Sequence, residues 1–298
     1  MFYYIHIPFC RQRCSYCRFA LDPRPTDAKI AAYIGALLRE IDVCMLGQEN
    51  VLIESIYFGG GTPSVLPLSY LEAILEKFPV GQRSLNCEVT LEGNPEDFTL
   101  DTARAYKNLG FTRISLGVQT LSDRALTEVG RVPHGVTLAA LDYLTAARHM
   151  NINVDLMLGL PYVETGETLS SIRTLHERYP SITHTSLYLL EYEHTYPKSR
   201  QSLALSREEQ YSEYRQIGEY LGAQGFEHYE ISNFARAGYA SRHNKAYWDH
   251  SETRGFGLSA ASYTGGERYV NASSFPVYYR GEIVDRERLT PTQIALEK

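Results

Sequence analysis

Three of the chain's five cysteines, Cys10, Cys14 and Cys17, fall within the stretch "HIPFCRQRCSYCRF" (6–19) at C-x3-C-x2-C spacing. Three thiols in one short loop are one too many for a disulfide and one too few for a closed four-ligand zinc site. They suit a cubic iron–sulfur cluster held at three corners, with the fourth iron open to an outside ligand. Structural zinc and unrelated surface thiols are the plainer alternatives, but no second paired knuckle is present and His6 precedes the cluster on its own strand. Cys44 falls in a helical pattern and Cys87 shares a strand face with Val89 and Leu91, so both are expected as core thiols.

Two further stretches bear polar groups where a ligand could meet them. "YFGGGTP" (57–63) places Gly59, Gly60, Gly61 and Thr62 after a strand, where the missing side chains let backbone N–H and C=O groups approach a ligand. A plain tight turn would use the same residues. "LEGNPE" (91–96) sets Glu92 at the end of a strand, on its polar face, where a structural ion pair is the bland alternative.

The elements that must carry these residues alternate strand and helix. Strands are predicted over 3–7, 51–58, 86–92, 113–118, 152–158 and 184–190. Helices are predicted near 27–47, 67–78, 99–109, 122–149, 166–178 and 207–223. Six βα units imply parallel strands joined by right-handed crossovers. Strand after strand has one polar face, as with Glu88, Thr90 and Glu92, then Ser115, Gly117 and Gln119, then Asn153 and Asp155. A sheet covered by helices on both sides would be apolar on both. The pattern therefore predicts an α/β fold, a partial (β/α)6 TIM-like barrel over 1–225 with a wet lumen and a lateral opening. The cysteine loop lies at the C-terminal end of the first strand, the end at which such barrels assemble their sites. Residues 226–298 change texture and predict a small irregular α+β appendage at the barrel mouth, ending in an N-cap at Thr290 with Pro291 at the first helical position. Because the sequence stops as that helix begins, further chain is expected downstream.

Composition narrows the partners. With 44% hydrophobic and 21% charged residues the chain reads as globular, and no apolar run reaches the length of a membrane span. A net charge of −6 argues against broad phosphate-backbone binding, so nucleic acid is not expected. "MFYYIHIP" lacks the features of a secretory signal, which predicts a cytoplasmic protein whose clustered cysteines are ligands rather than disulfides.

The cysteine loop, with Tyr16 before Cys17, resembles the signature of radical S-adenosylmethionine proteins. "YIHIPFC", "FGGGTPS", "ISLGVQ", "DLMLGLP" and "YEISNFA" resemble, in order, the branch that contains oxygen-independent coproporphyrinogen III dehydrogenases and HemW-type proteins. The resemblance implies a [4Fe-4S] cluster on Cys10, Cys14 and Cys17. It also implies S-adenosylmethionine contacts from Tyr4, Tyr16, Gly59, Gly60, Gly61, Thr62, Glu92, Gln119, Arg131 and Asp155. The dehydrogenases carry a further cysteine where this chain has Phe19, and an N-terminal arm that it lacks. "RHNKAYW" (242–248) instead matches the H-N-x-x-Y-W motif of HemW-type haem chaperones through His243, Asn244, Tyr247 and Trp248. A neutral imidazole suits haem iron and aromatic faces suit a flat macrocycle, although a satisfied histidine in a packed aromatic corner would read the same way. The resemblance thus implies haem as cargo, haem-acceptor apoproteins as partners and room for a homodimer. The enzymatic alternatives are coproporphyrinogen III dehydrogenase or another tetrapyrrole-modifying radical enzyme.

Overall fold

The structure is a computed structural model that describes residues 1–149, 151–191, 203–290 and 292–293. Its centre is a run of six parallel strands in sequential order: β1 (Phe2–Ile7), β4 (Ile53–Gly60), β5 (Arg83–Gly93), β6 (Arg113–Gln119), β7 (Ile152–Leu158) and β8 (Ile182–Leu189). Between β1 and the first helix lie two short strands, β2 (Phe9–Cys10) and β3 (Asp22–Pro23), which pair with each other and close the cysteine loop at its base.

The helices cover the outer face. α1 (Asp27–Met45) begins at Thr26, whose side chain accepts from Lys29 N. It turns the predicted stripe inward, with Ile34, Leu37 and Ile41 fully buried and Ile30 and Leu38 packed at the edge. α2 (Leu68–Leu75), α3 (Leu100–Asn108), α4 (Asp123–Glu128), α5 (His134–Ala146), α6 (Glu167–Arg178) and α7 (Arg207–Ala223) follow in turn. Reciprocal capping boxes fix the starts of α3, through Thr99 and Thr102, and of α7, through Ser206 and Glu209. Residues such as Ile5, Ile56, Phe58, Leu91, Ile114, Val154 and Leu156 form the outward-facing apolar half of the strands, all fully buried under the helices.

The residues after 225 differ from expectation in where they go. β9 (Phe226–His228) and β10 (Asn233–Arg236) add antiparallel to the β8 edge. β11 (Thr253–Phe256) adds parallel to β1 at the opposite edge, followed by the meander of β12 (Ala261–Thr264), β13 (Glu267–Asn271) and β14 (Ile283–Arg288). One twelve-stranded sheet results, an arc whose two ends do not pair. Between β10 and β11 the chain crosses beneath the strands as α8 (Arg242–Trp248); a further short helix, α9 (Phe275–Tyr278), packs through Tyr278 on Glu40 of α1. Of the segment expected at the mouth, α8 therefore closes the other end, whereas Phe275 of α9 stacks on Phe9 at the base of the cysteine loop. An open arc must be crossed on one of its rims for the chain to pass from edge to edge, and α8 takes the rim at the N-terminal ends of β4 and β5.

One smaller expectation changes. Cys44 and Cys87 are half-buried at the margin of the core, and the Arg254 guanidinium donates to Cys44 Sγ at 2.8 Å. Thr290 does form a reciprocal cap with Gln293, whereas Pro291 lies outside the described residues. Among the described residues no helix is long and apolar enough to cross a membrane.

Candidate functional site

The loop after β1 is tethered on three sides before its thiols can be presented. His6 Nε2 must donate to Ala20 O at 3.0 Å, since a carbonyl only accepts, which leaves Nδ1 to accept from Tyr4 Oη at 3.2 Å. Arg11 pairs with Asp97 at 2.7 Å, and Ser64 Oγ donates to the other oxygen of that carboxylate at 2.6 Å. Gln12 donates to Gly130 O, and Ser15 N to Val129 O at 3.3 Å, so the far side of the loop rests on the turn between α4 and α5. Arg18 reaches Glu191 beyond β8 at 3.1 Å.

The loop forms one wall of a cavity of about 400 Å³ at the C-terminal end of the barrel. Cys10, Cys14, Cys17 and Tyr16 all line it. Cys10 Sγ lies 2.9 Å from Thr62 Oγ1, and burial pushes its thiol up to about 11, against the opposing hydrogen bond from Thr62. Burial also raises the Cys17 thiol.

Gly60, Gly61 and Thr62 add to the lining where β4 ends. Gly60 has φ +108°, and a Cβ there would sit 2.5 Å from the His6 ring; at Gly61 it would meet the carbonyl oxygens of Ile7 and Phe9 at 2.8 and 2.7 Å. The glycines are thus required by the close approach of β1 and its loop. Gly59 lies behind the wall, where a Cβ would press on Tyr57 and Glu92.

Glu92, Gln119, Arg131 and Asp155 complete the polar side. Glu92 accepts from Tyr57 Oη at 2.7 Å and from Gly60 N at 3.1 Å. Burial raises its pKa to about 7 despite those bonds. Gln119 follows a register shift between β6 and β7 and holds φ +68°, a left-handed conformation that turns its side chain into the cavity. Arg131 donates to Asn94 Oδ1 at 2.7 Å and to Gly117 O, with its charge beside Tyr16 and Cys14. Asp155 accepts from Ser115 Oγ at 3.0 Å and Asn153 Nδ2 at 2.8 Å; burial still raises its pKa.

Several participants were not singled out from sequence. Asn94, which holds Arg131 and donates to Thr62 at 3.3 Å, stands two residues past Glu92 in the quoted stretch. Tyr57 shares the lumen face of β4 with Ser55 and Gly59, a period-two signal hidden by the glycine run that follows. Arg113 begins the polar face of β6 and is fully buried in the lumen beside Thr90 on β5.

Tyr4 does not line the cavity. It stacks on Tyr57 beneath it, with ring centroids 6.1 Å apart. The RHNKAYW residues lie lower still. His243 is 1% exposed, with Nδ1 2.7 Å from Ser55 Oγ and Nε2 3.1 Å from Tyr247 Oη. Tyr247 and Trp248 are about half exposed on the underside. Asn244 N donates to Ser241 Oγ within the helix start. The structure therefore separates this motif from the cysteine loop by the depth of the barrel.

Residues 4–184 match the model of the Radical SAM superfamily, which gives the class of protein that this arc and its cysteine loop define. The chain is 36% identical to a protein named heme chaperone HemW from Synechocystis sp., covering 99% of this chain and 75% of that one. A HemW from Lactococcus lactis is 34% identical, with 99% and 77% covered. The chain belongs to the HemW-type family of radical S-adenosylmethionine proteins. The fold matches that of coproporphyrinogen III oxidase (HemN) from Escherichia coli with a TM-score of 0.85 at 20% identity, over 99% of this chain and 73% of that one.

The family implies a [4Fe-4S] cluster and S-adenosylmethionine, and the residues present fit both. Among the described residues no group of three or more His, Cys, Asp or Glu side chains converges on a single-ion site. Ligands to three separate irons must share a cavity without meeting at a point, and the three free thiols do so. Opposed to them are carboxylates and amide oxygens suited to a cationic, hydroxyl-bearing nucleoside.

Proposed function

We propose that this chain is a haem chaperone of the HemW type, acting in the cytoplasm, which binds a [4Fe-4S] cluster, S-adenosylmethionine and haem and passes haem to acceptor proteins. The observation that carries the reading is one cavity bringing Cys10, Cys14 and Cys17 together with Glu92, Gln119, Arg131 and Asp155, in a chain whose relatives bear the name heme chaperone.

A cluster held by Cys10, Cys14 and Cys17 would supply an iron open to S-adenosylmethionine and, once reduced by an outside one-electron donor, the electron that cleaves the sulfonium. The chain's own part is positional. Cys10, Cys14 and Cys17 would hold the cluster as thiolates, so its binding would release their protons. Arg131 places a fixed cation beside Cys14 and Tyr16 and so offsets the negative charge gathered there. Glu92 and Asp155, held by neighbours on β4, β6 and β7, offer acceptors to amine and hydroxyl groups. The side of the cavity formed by Met157, Tyr188, Leu189 and Leu190 is largely apolar and supports binding of a flat hydrophobic cargo near the cluster.

The test is anaerobic reconstitution followed by haem titration, then mixing of the haem-loaded protein with an apo-cytochrome. Stoichiometric haem binding and its transfer are expected. Turnover of coproporphyrinogen III with S-adenosylmethionine and reductant, without haem binding, would replace this reading with the dehydrogenase one.

A further inference from the structure

The RHNKAYW helix lies far from the cavity, yet contacts connect the two. His243 sits in a column of rings: its imidazole stacks on Tyr57 with centroids 5.0 Å apart and planes 29° apart, and Tyr247 meets it edge-on at 5.1 Å. The imidazole cannot swing, because Ser55 and Tyr247 hold its two nitrogens. Ser55 and Tyr57 are two residues apart on β4, so the histidine's anchor and its stacking partner share one lumen face. The helix carrying His243 is itself held by Glu88 of β5, which accepts from Ser241 Oγ at 2.9 Å, Arg242 N at 3.1 Å and His243 N at 3.2 Å. At the top of the column, Tyr57 Oη donates to Glu92 in the cavity wall.

We propose that His243 is a positioning residue for the cofactor cavity, fixing the Tyr57 ring from beneath so that Tyr57 delivers its hydroxyl to Glu92, rather than an axial ligand of haem. The inference rests on the S-adenosylmethionine part of the function proposed above and deepens it. An axial ligand needs a ring nitrogen free of protein partners and open to a macrocycle; His243 has neither. Burial holds its pKa down at about 3, so it acts as a neutral ring, by shape and hydrogen bonding. The groups facing Glu92 are Tyr4 from β1, Tyr57 from β4, Arg113 from β6, Asp155 from β7, Tyr188 from β8 and Tyr247 from α8. Those phenols are un-ionised near neutral pH, and burial raises Tyr4, Tyr57 and Tyr188 further above their ordinary range. Loss of His243 therefore reaches Glu92 through the Tyr57 bond.

The experiment compares wild type, His243→Ala, His243→Gln and Tyr57→Phe after cluster reconstitution. S-adenosylmethionine affinity is measured by calorimetry across neutral pH, and haem binding is followed at the Soret band. Titration of the Glu92 carboxyl is followed by infrared difference spectroscopy in the protein without added ligand. His243→Ala and Tyr57→Phe are each expected to weaken S-adenosylmethionine about tenfold at neutral pH, the effect of one hydrogen bond to a charged group. Both should move the pH of half-maximal affinity and the Glu92 titration upward, while His243→Gln retains most of the wild-type behaviour. Haem affinity and the Soret band should be unchanged in His243→Ala. A folded His243→Ala with wild-type affinity, pH profile and Glu92 titration would overturn the proposal, as would loss of the haem axial-ligand signature in His243→Ala but not in Tyr57→Phe. If wild type fails to bind S-adenosylmethionine, the reading of the cavity fails while the Glu92 titration still decides the role of His243. Should His243→Ala not fold, Ser55→Ala and His243→Gln carry the same comparison.

Discussion

Glu88 is the joint between the barrel and the helix beneath it, and its truncation has a calculable effect. The carboxylate is 7% exposed and receives three donors from residues 241–243. A hydrogen bond to a charged group contributes about 1.5–3 kcal/mol, but three donors share one carboxylate and water can refill the gap it leaves. Glu88→Ala should therefore destabilise the closed position of α8 by about 3 kcal/mol, or about two decades in its opening equilibrium. Arg113 adds to the effect: burial opposes its charge, Glu88 chiefly offsets that opposition, and Nε and Nη1 have no hydrogen-bond partner among the described residues. Residual ties from Arg242 to Glu54 and to Asn86 O limit the loss. Hydrogen exchange read by mass spectrometry on peptides covering 241–248 should show protection reduced about a hundredfold, with β4 to β7 unchanged, and about tenfold in Glu88→Gln, which keeps one acceptor. A folded Glu88→Ala whose 241–248 peptides exchange within about threefold of wild type would show that α8 is held by something other than Glu88.

Serine in place of Cys10, Cys14 or Cys17 should bring iron and sulfide per chain to background after reconstitution, whereas serine at Cys44 or Cys87 should leave both at the wild-type level; elemental analysis decides. Glu92 holds a proton in the native state up to about pH 7, against an ordinary value of 4.5. The native state thus binds more protons than the unfolded one between these values, so Glu92's contribution to stability falls as pH rises through that window. Urea melts of Glu92→Gln should show its advantage over wild type growing from pH 4.5 to about 7 and then levelling; a difference independent of pH would contradict the assignment. Gly60→Ala places a methyl group against the His6 ring at a positive φ, and should destabilise the protein by about 2–4 kcal/mol and loosen the loop that His6 secures through Ala20. Denaturant melts and exchange rates of residues 10–20 check both effects.

The strand–helix alternation was legible because each element announces its period, and the polar faces of β5, β6 and β7 announced the lumen. Glu92, Gln119 and Asp155 line one cavity because adjoining strands of a parallel barrel bring their lumen faces together, whereas Arg131, singled out only through the family resemblance, reaches it from the turn between α4 and α5. Asn94 and Tyr57 escaped notice for different reasons. Asn94 lies in an irregular turn with no periodic signal, and Tyr57 neighbours a glycine run that dominates the reading of its stretch. The place of RHNKAYW could not be read locally at all. It follows from β10 and β11 joining opposite edges of the sheet, a pairing made across long sequence separations, and only that closure sends α8 under the barrel. Aromatic residues around a histidine look alike whether they cradle a macrocycle or pack a floor.

The crossing also governs how wide the arc can gape. A closed barrel has its radius set by its ladder of hydrogen bonds, but here the terminal strands of the sheet are not bonded to each other. At the rim remote from the thiols, the run of chain from Arg236 to Thr253 crosses the gap, pinned midway at Glu54, Ser55 and Glu88. That run acts as a leash at its own rim: slack added on either side of the pinned helix would let the strand ends there part, and residues removed would draw them together. On the rim that carries the thiols, the same opening is crossed by the Arg18–Glu191 ion pair, so the two rims are tied by different means.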